Sequence, residues 1–126
     1  MTDLILAIDQ GTTGSTIALM DTDGRLLTSV NHEFPQIFPQ PGWVEHDPES
    51  IWQSVLKGLT AIFSDTQYPV SQVAAIGITN QRETAVLWDS QTGQAVHNAI
   101  VWQCRRTTDF CEDLKAAGYE ALIKAK

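Results

Sequence analysis

The sequence predicts an α/β domain built on a mixed sheet, with three leading antiparallel strands, a helix, a further strand, a strand pair and a helical end. Three observations carry that expectation. Short apolar runs of strand length, LILAI (4–8), TIALM (16–20) and VAAIGI (73–78), are bounded by turn-forming or polar residues. Residues 51–63 instead repeat apolar side chains at helical spacing. The 126 residues contain no repeat and no linker-like stretch, and that length fits one domain with a single core.

Taken in order, LILAI ends in Asp9-Gln10-Gly11, so the first strand opens into a turn and TIALM returns as its hairpin partner. Asp21-Thr22-Asp23-Gly24 supplies a second tight turn, with Gly24 suited to positive φ. RLLTSVNHEF (25–34) follows as the third antiparallel strand. PQIFPQPGWVEHDP (35–48) has no period, yet Ile37, Phe38 and Trp43 would be costly to leave in water, so it reads as an ordered loop. Asp47-Pro48-Glu49 starts a helix: an acceptor at the N-cap, proline at the first helical position, an acid in the first turn. Its apolar stripe is Ile51, Val55, Leu59 and Ile62, joined by Trp52, Leu56 and Phe63. VAAIGIT (73–79) reads as a fully buried strand and a candidate for the centre of the sheet. TAVLWD (84–89) and AIVW (99–102) make a strand pair around the turn SQTGQ. From Thr107 the pattern is helical, with Phe110, Cys111 and Leu114 on one side, until Gly118; YEALIKAK is a last helical segment.

Composition narrows the function. With 43% hydrophobic and 18% charged residues, the chain is a folded soluble protein rather than a disordered one. A formal charge of −7 argues against a nucleic-acid or membrane-surface partner, since the basic residues are scattered and only Arg105 and Arg106 are adjacent. Cys104 and Cys111 fit no CxxC redox or zinc pattern and read as reduced thiols. MTDLILAIDQ has no basic leader and too short an apolar run for a signal peptide, and nothing approaches a membrane span. A cytoplasmic location is expected.

Two turns carry chemistry. In Asp9-Gln10-Gly11-Thr12-Thr13-Gly14, glycines let backbone N–H groups approach an anion, and threonine hydroxyls add donors. A carboxylate at the strand end can hold Mg²⁺ through water beside a polyphosphate. No helix follows these glycines, so this is neither the GxxxxGK[ST] loop nor the GxGxxG fingerprint. A β-turn without a ligand is the alternative. The second turn, in ITNQRETAVLWD (78–89), places a cation and an anion side by side as Arg82-Glu83 between two apolar stretches. They are either a solvated pair or a donor and an acceptor aimed at one polar ligand.

DQGTT (9–13), PGWVEHDP (41–48), AAIGITNQRET (74–84) and NAIVWQCRR (98–106) closely resemble the glycerol kinase branch of the FGGY carbohydrate kinase family, in unbroken order over nearly the whole chain. DxGTT alone is shared across actin-like ATPases, whereas NQRET together with VWQCRR is specific to glycerol kinases. The resemblance implies a ribonuclease H-like (actin-like ATPase) fold, with residues 1–126 forming the N-terminal part of the first FGGY kinase domain. It implies a two-domain enzyme that transfers the terminal phosphoryl group of ATP to glycerol, giving sn-glycerol 3-phosphate. Carried over residue by residue, Arg82 and Glu83 bind the polyol hydroxyls and Trp102 lies against the carbon chain. Asp9 works with Mg²⁺, while Gly11, Thr12 and Thr13 face the ATP phosphates. Glycerol and ATP are thus the implied partners, with a homo-oligomer admitted for the full-length form. Another polyol or ketose as substrate, or a non-catalytic binding fragment, are the alternatives.

The first turn departs from the pattern DQGTTSSR common in the family. Gly14 replaces a serine, and Thr16 stands where arginine is common, so the guanidinium that offsets charge on the transferred phosphoryl group is missing from that position. The resemblance also implies that the general base, the adenine site and a tyrosine of the polyol pocket lie beyond residue 126. The chain is therefore expected to be an N-terminal fragment, inactive by itself.

Overall fold

The computed structural model describes residues 3–64 and 68–126. Strands β1 (Leu4–Gln10), β2 (Gly14–Asp21) and β3 (Leu26–Glu33) form the expected antiparallel meander. Two further strands are β4 (Glu45–His46) and β5 (Val73–Asn80); the 17-residue helix α1 (Pro48–Ser64) lies between them. β5 joins β1 in parallel, giving a four-stranded mixed sheet of order β3-β2-β1-β5. The α/β class and the three leading antiparallel strands therefore stand as expected.

Alternation along β2 builds the core. Ser15, Ile17 and Leu19 point to one face with no exposed surface, and α1 covers that face. Leu6, Ile17, Leu19, Val55 and Ile62 form the buried cluster, with Ile8, Val30, Leu59, Phe63, Tyr68 and Val73 packed around it. Helix and sheet approach closely because α1 presents small residues there. The Ser15 and Ser54 hydroxyls lie 2.7 Å apart in the core, and a Cβ on Gly58 would overlap Ile17 Cγ1. The helix starts as the sequence indicates. The Asp47 carboxylate accepts from the Glu49 and Ser50 N–H groups at 3.2 and 3.1 Å, satisfying donors that the first turn leaves free.

The β2–β3 turn sits at the Leu4 end of the sheet, where Leu4 pairs with Asp21. Asp21 Oδ1 accepts from the Asp23 and Arg25 amides at 3.1 and 2.8 Å, and Gly24 takes φ +82° with open space around it.

Four expectations need correction. VAAIGIT is not buried at the centre: β5 is the edge strand, and Ile76 and Ile78 are 60% and 74% exposed. Its unbroken apolar run specifies cover for both faces, and among the described residues only β1 pairs with it. TAVLWD and AIVW do not form a regular pair. They are reduced to the bridges Ala85↔Ile100 and Trp88↔Ala95, while β6 (Ala99–Ile100) pairs with β4 in a separate two-stranded sheet. Trp52 is half-exposed and leaves the α1 stripe, since the sheet contacts a narrower arc of the helix than the sequence pattern covers. Phe38 is likewise exposed at 68%, unlike half-buried Ile37 and Trp43 of the same ordered loop.

The chain ends in α2 (Thr108–Ala116) and α3 (Glu120–Lys124), with Gly118 between them at φ +85°. Phe110 and Cys111 of α2 are exposed, and both cysteines are free thiols. Among the described residues, no helix is long and apolar enough to cross a membrane.

Candidate functional site

The register brings the two chemically marked turns together. Gln10, the last residue of β1, pairs with Ser15 on one side and Asn80, the last residue of β5, on the other. Both turns therefore leave the sheet at the carboxyl ends of its parallel strands, the edge where open α/β sheets place ligands. The Gln81 N–H donates to the Gln10 carbonyl at 2.7 Å and ties the second turn to the first.

The first turn is closed by the Gly11 N–H donating to the Gly14 carbonyl at 2.9 Å, and anchored by the Phe34 N–H on the Thr13 carbonyl at 3.2 Å. Gly14 is buried against β3, where a Cβ would stand 2.7 Å from the His32 carbonyl oxygen. Glycine in place of the more usual serine thus has a packing reason in this chain. Asp9 is exposed at the end of β1 and pairs in register with Thr16. Thr16 Oγ1 accepts from Asn31 Nδ2 at 2.9 Å, which occupies it with β3.

Arg82 and Glu83 are both exposed, and among the described residues neither side chain has an ion pair or hydrogen-bond partner. Their donors and acceptors are left for something else. Glu83 is the only non-glycine described residue with positive φ, at 51°. That left-handed conformation costs about 1–2 kcal/mol for a side chain of this kind. Trp102 is 55% exposed, and its indole N–H donates to Thr12 Oγ1 at 3.1 Å. The structure therefore joins Trp102 to the Gly11–Thr12–Thr13 turn, whereas no hydrogen bond links it to Arg82 or Glu83.

A polar chain, buried at His46 and Gln81 and half-buried at Gln36, links the two turns. His46 has no exposed surface. Its Nε2 is 2.6 Å from Gln36 Oε1, and its Nδ1 is 3.1 Å from Gln81 Nε2. Gln36 Nε2 in turn donates to the Thr12 carbonyl at 3.1 Å. Phe34 meets the His46 ring edge-on at 5.1 Å. Gln81 Oε1, however, is buried without a partner among the described residues, a deficit that typically costs about 1–3 kcal/mol.

Loop 42–46 and segment 98–106 are locked by a second cluster. Arg106 Nη2 binds Glu45 Oε1 at 2.6 Å, and Asn98 Nδ2 donates to Glu45 Oε2 at 3.1 Å. The guanidinium lies over Trp43, 3.8 Å from the ring centroid. The Arg105 N–H reaches the Gly42 carbonyl at 2.7 Å. This clasp holds the segment that carries Trp102. Hydrogen bonding from Arg106, then from Asn98, keeps the Glu45 carboxyl below its ordinary 4.5. At Cys104 burial acts to raise the thiol, and hydrogen bonds from the Arg106 and Val44 backbone and from Arg106 Nε outweigh it, leaving the net shift downward.

Sequence reasoning marked none of Gln36, His46, Gln81, Glu45 or Arg106 as site-forming. All but Gln36 lie inside the quoted motifs, which was the available signal. Burial holds the His46 imidazole below its ordinary 6.5, so the neutral ring is favoured in the fold and the unfolded chain takes up the proton first. Stability is expected to be full above pH 6.5 and to fall as pH drops below it. Glu45 adds a separate loss only below 4.5, as its carboxylate protonates. Urea midpoints at pH 7.5 and 5.5 check the first window, and His46→Phe should flatten it.

Residues 4–126 match the family model for the FGGY family of carbohydrate kinases, N-terminal domain. A glycerol kinase from Symbiobacterium thermophilum is 57% identical over 122 residues, which is 97% of this chain and 24% of that protein. The chain thus spans about a quarter of the length of such relatives. Among solved structures, a gluconate kinase from Lactobacillus acidophilus superposes with a TM-score of 0.86 at 25% identity, over all of this chain and 25% of that one. The Plasmodium falciparum glycerol kinase with ADP gives 0.77 at 33% identity, over 91% and 23%. The mixed sheet with three leading antiparallel strands is the ribonuclease H-like arrangement shared with these kinases.

Proposed function

Because the chain belongs to the FGGY family of carbohydrate kinases, we propose that it supplies part of the polyol and phosphate sites of an ATP-dependent kinase that phosphorylates glycerol at a terminal hydroxyl. One observation carries the reading most directly. Gln10 pairs with Asn80, so a glycine- and threonine-rich turn and an Arg-Glu pair emerge from one end of one sheet. Phosphoryl transfer is mostly a matter of positioning and charge stabilisation, and two turns leaving one end of one sheet support that reading.

Arg82 offers a fixed fork of donors and Glu83 only acceptors, which together satisfy hydroxyls that both donate and accept. The half-exposed face of Trp102 covers C–H edges and excludes water. Gly11, Thr12 and Thr13 offer backbone N–H groups and hydroxyls to the phosphates. Mg²⁺ usually keeps several waters and binds one or two carboxylates plus substrate phosphates, a requirement that the exposed carboxylate of Asp9 fits. When bound, the ion would offset phosphate charge, with Asp9 holding its water shell. We assign no general base among the 126 residues. A cytoplasmic setting, where ATP is available, accords with this reading.

A second reading keeps the chemistry and changes the acceptor to another polyol or a ketose, favoured by the close superposition on a gluconate kinase. Assays of the full-length protein with ATP and a panel of glycerol, xylulose, ribulose, gluconate and rhamnulose decide between them. The highest kcat/KM is expected for glycerol; a ketose or gluconate preferred over glycerol overturns that assignment.

A further inference from the structure

We propose that Gln36, His46 and Gln81 form a positioning chain that sets the spacing between the phosphate turn and the Arg82–Glu83 turn, with His46 as the positioning residue at its centre. The inference rests on the site reading above, which gives the two turns their roles.

The chain has one consistent direction. The Thr12 carbonyl can only accept, so the amide nitrogen of Gln36 faces it and the amide oxygen faces His46. His46 must then carry its proton on Nε2 and donate to Gln36 Oε1. That leaves Nδ1 as an acceptor, and Gln81 Nε2 donates to it. Three side chains thus run from the main chain of the first turn to the residue immediately before Arg82. A neutral ring is required for this direction, which its complete burial favours.

An ordinary supporting histidine is a weaker account of the same atoms. A buried histidine that only fills space needs partners of any kind, whereas both partners here belong to, or end on, the site turns. The Gln81 amide also leaves Oε1 buried and, among the described residues, unpaired, a deficit that an apolar side chain would avoid. Holding a polar side chain there at that cost is accounted for if the Gln81–His46 bond fixes the turn that Arg82 begins. The Gln81 N–H bond to Gln10 ties the same turn to β1 from the main chain, and the Trp102–Thr12 bond anchors the first turn from outside. The positioning chain therefore refines the spacing of two turns already tethered, and its loss should be read in catalysis and local protection before global unfolding.

The test uses the full-length protein and three variants. His46→Phe keeps the ring volume and removes both nitrogens. His46→Asn keeps an acceptor near the Nδ1 position, and His46→Gln keeps a donor near the Nε2 position. Kinetics with glycerol and ATP are measured beside amide exchange over residues 11–14, 81–83 and 55–62. His46→Phe is expected to lower kcat/KM for both substrates by about tenfold and to speed exchange in both turns, with 55–62 in α1 unchanged. His46→Asn should restore protection at 81–83 and the KM for glycerol, and His46→Gln should restore protection at 11–14 and the KM for ATP. A lowered Tm with kcat/KM within about twofold and exchange altered only over 35–48 overturns the proposal in favour of a purely structural histidine. If the wild type phosphorylates no polyol or ketose, the site reading falls. Exchange then decides this inference alone: loss of protection in both turns upholds it, loss in one or neither overturns it. Should His46→Phe lose protection in 55–62, the Asn and Gln variants decide in the same way: each should lose protection only at the turn whose bond it lacks, and loss at both or neither overturns the proposal.

Discussion

Replacing Arg82 with alanine in the full-length protein is expected to raise the KM for glycerol by about 30- to 900-fold, the equivalent of about 2–4 kcal/mol of lost binding. The structure separates this effect from stability. Arg82 is exposed, with no ion pair or side-chain hydrogen bond among the described residues, so its removal breaks nothing that holds the fold. The loss falls on the ligand, whose hydroxyls lose the donor fork while Glu83 remains to repel their lone pairs. Arg82→Lys should recover only part of the affinity, because an ammonium keeps the charge and not the planar fork. Melting temperature is expected to stay close to that of the wild type, because exposed substitutions of this kind usually change stability by no more than about 0.5 kcal/mol. An unchanged KM for glycerol would refute the role given to Arg82.

The largest stability effect at a single small residue is expected at Gly58. Helix propensity alone predicts that Gly58→Ala stabilises α1 by about 1 kcal/mol. Packing predicts the opposite and prevails, because the added Cβ would overlap Cγ1 of Ile17, which has no exposed surface and cannot swing away. Relieving that overlap means moving helix from sheet, so a net loss of about 1–3 kcal/mol is expected in urea unfolding. Ile17→Ala alone should cost about 2–5 kcal/mol through the cavity it leaves. The double variant should cost clearly less than the sum, since the alanine methyl then enters vacated space. Additive losses, or a stabilised Gly58→Ala, would show that α1 and β2 are not in such close contact.

Most of the sheet was legible because its signals are local. The leading meander needs only apolar runs and turns, and α1 announces itself through Asp47-Pro48. Where the reading failed, the missing information was tertiary. VAAIGIT encodes a strand with two apolar faces, but nothing within those residues says which neighbours cover them; here β5 is an open edge. AIVW makes its ladder with Glu45–His46, more than fifty positions away, where the Arg106–Glu45 clasp holds the two segments together, and keeps only the bridge Ala85↔Ile100 to the nearby TAVLWD. The site residues came from motif resemblance, and the structure adds their spacing. It sets Trp102 on Thr12 and, among the described residues, leaves the side chains of Arg82 and Glu83 free of partners. The polar chain through His46 was invisible because two of its links are glutamines, whose amides attract no notice until their neighbours are known.

The hairpin bend at Asp21–Arg25 closes the meander at the pole of the sheet farthest from Gln10 and Asn80. It is self-contained, stitched by the Asp21 carboxylate, and a Cβ added at Gly24 would meet nothing within 4 Å. Bends of that type accept inserted residues at low cost. A fluorophore, a purification handle or a tether for surface attachment grafted between Asp23 and Gly24 would therefore sit a full strand length away from the two candidate site turns, making this corner the natural point at which to hold the protein during ligand measurements.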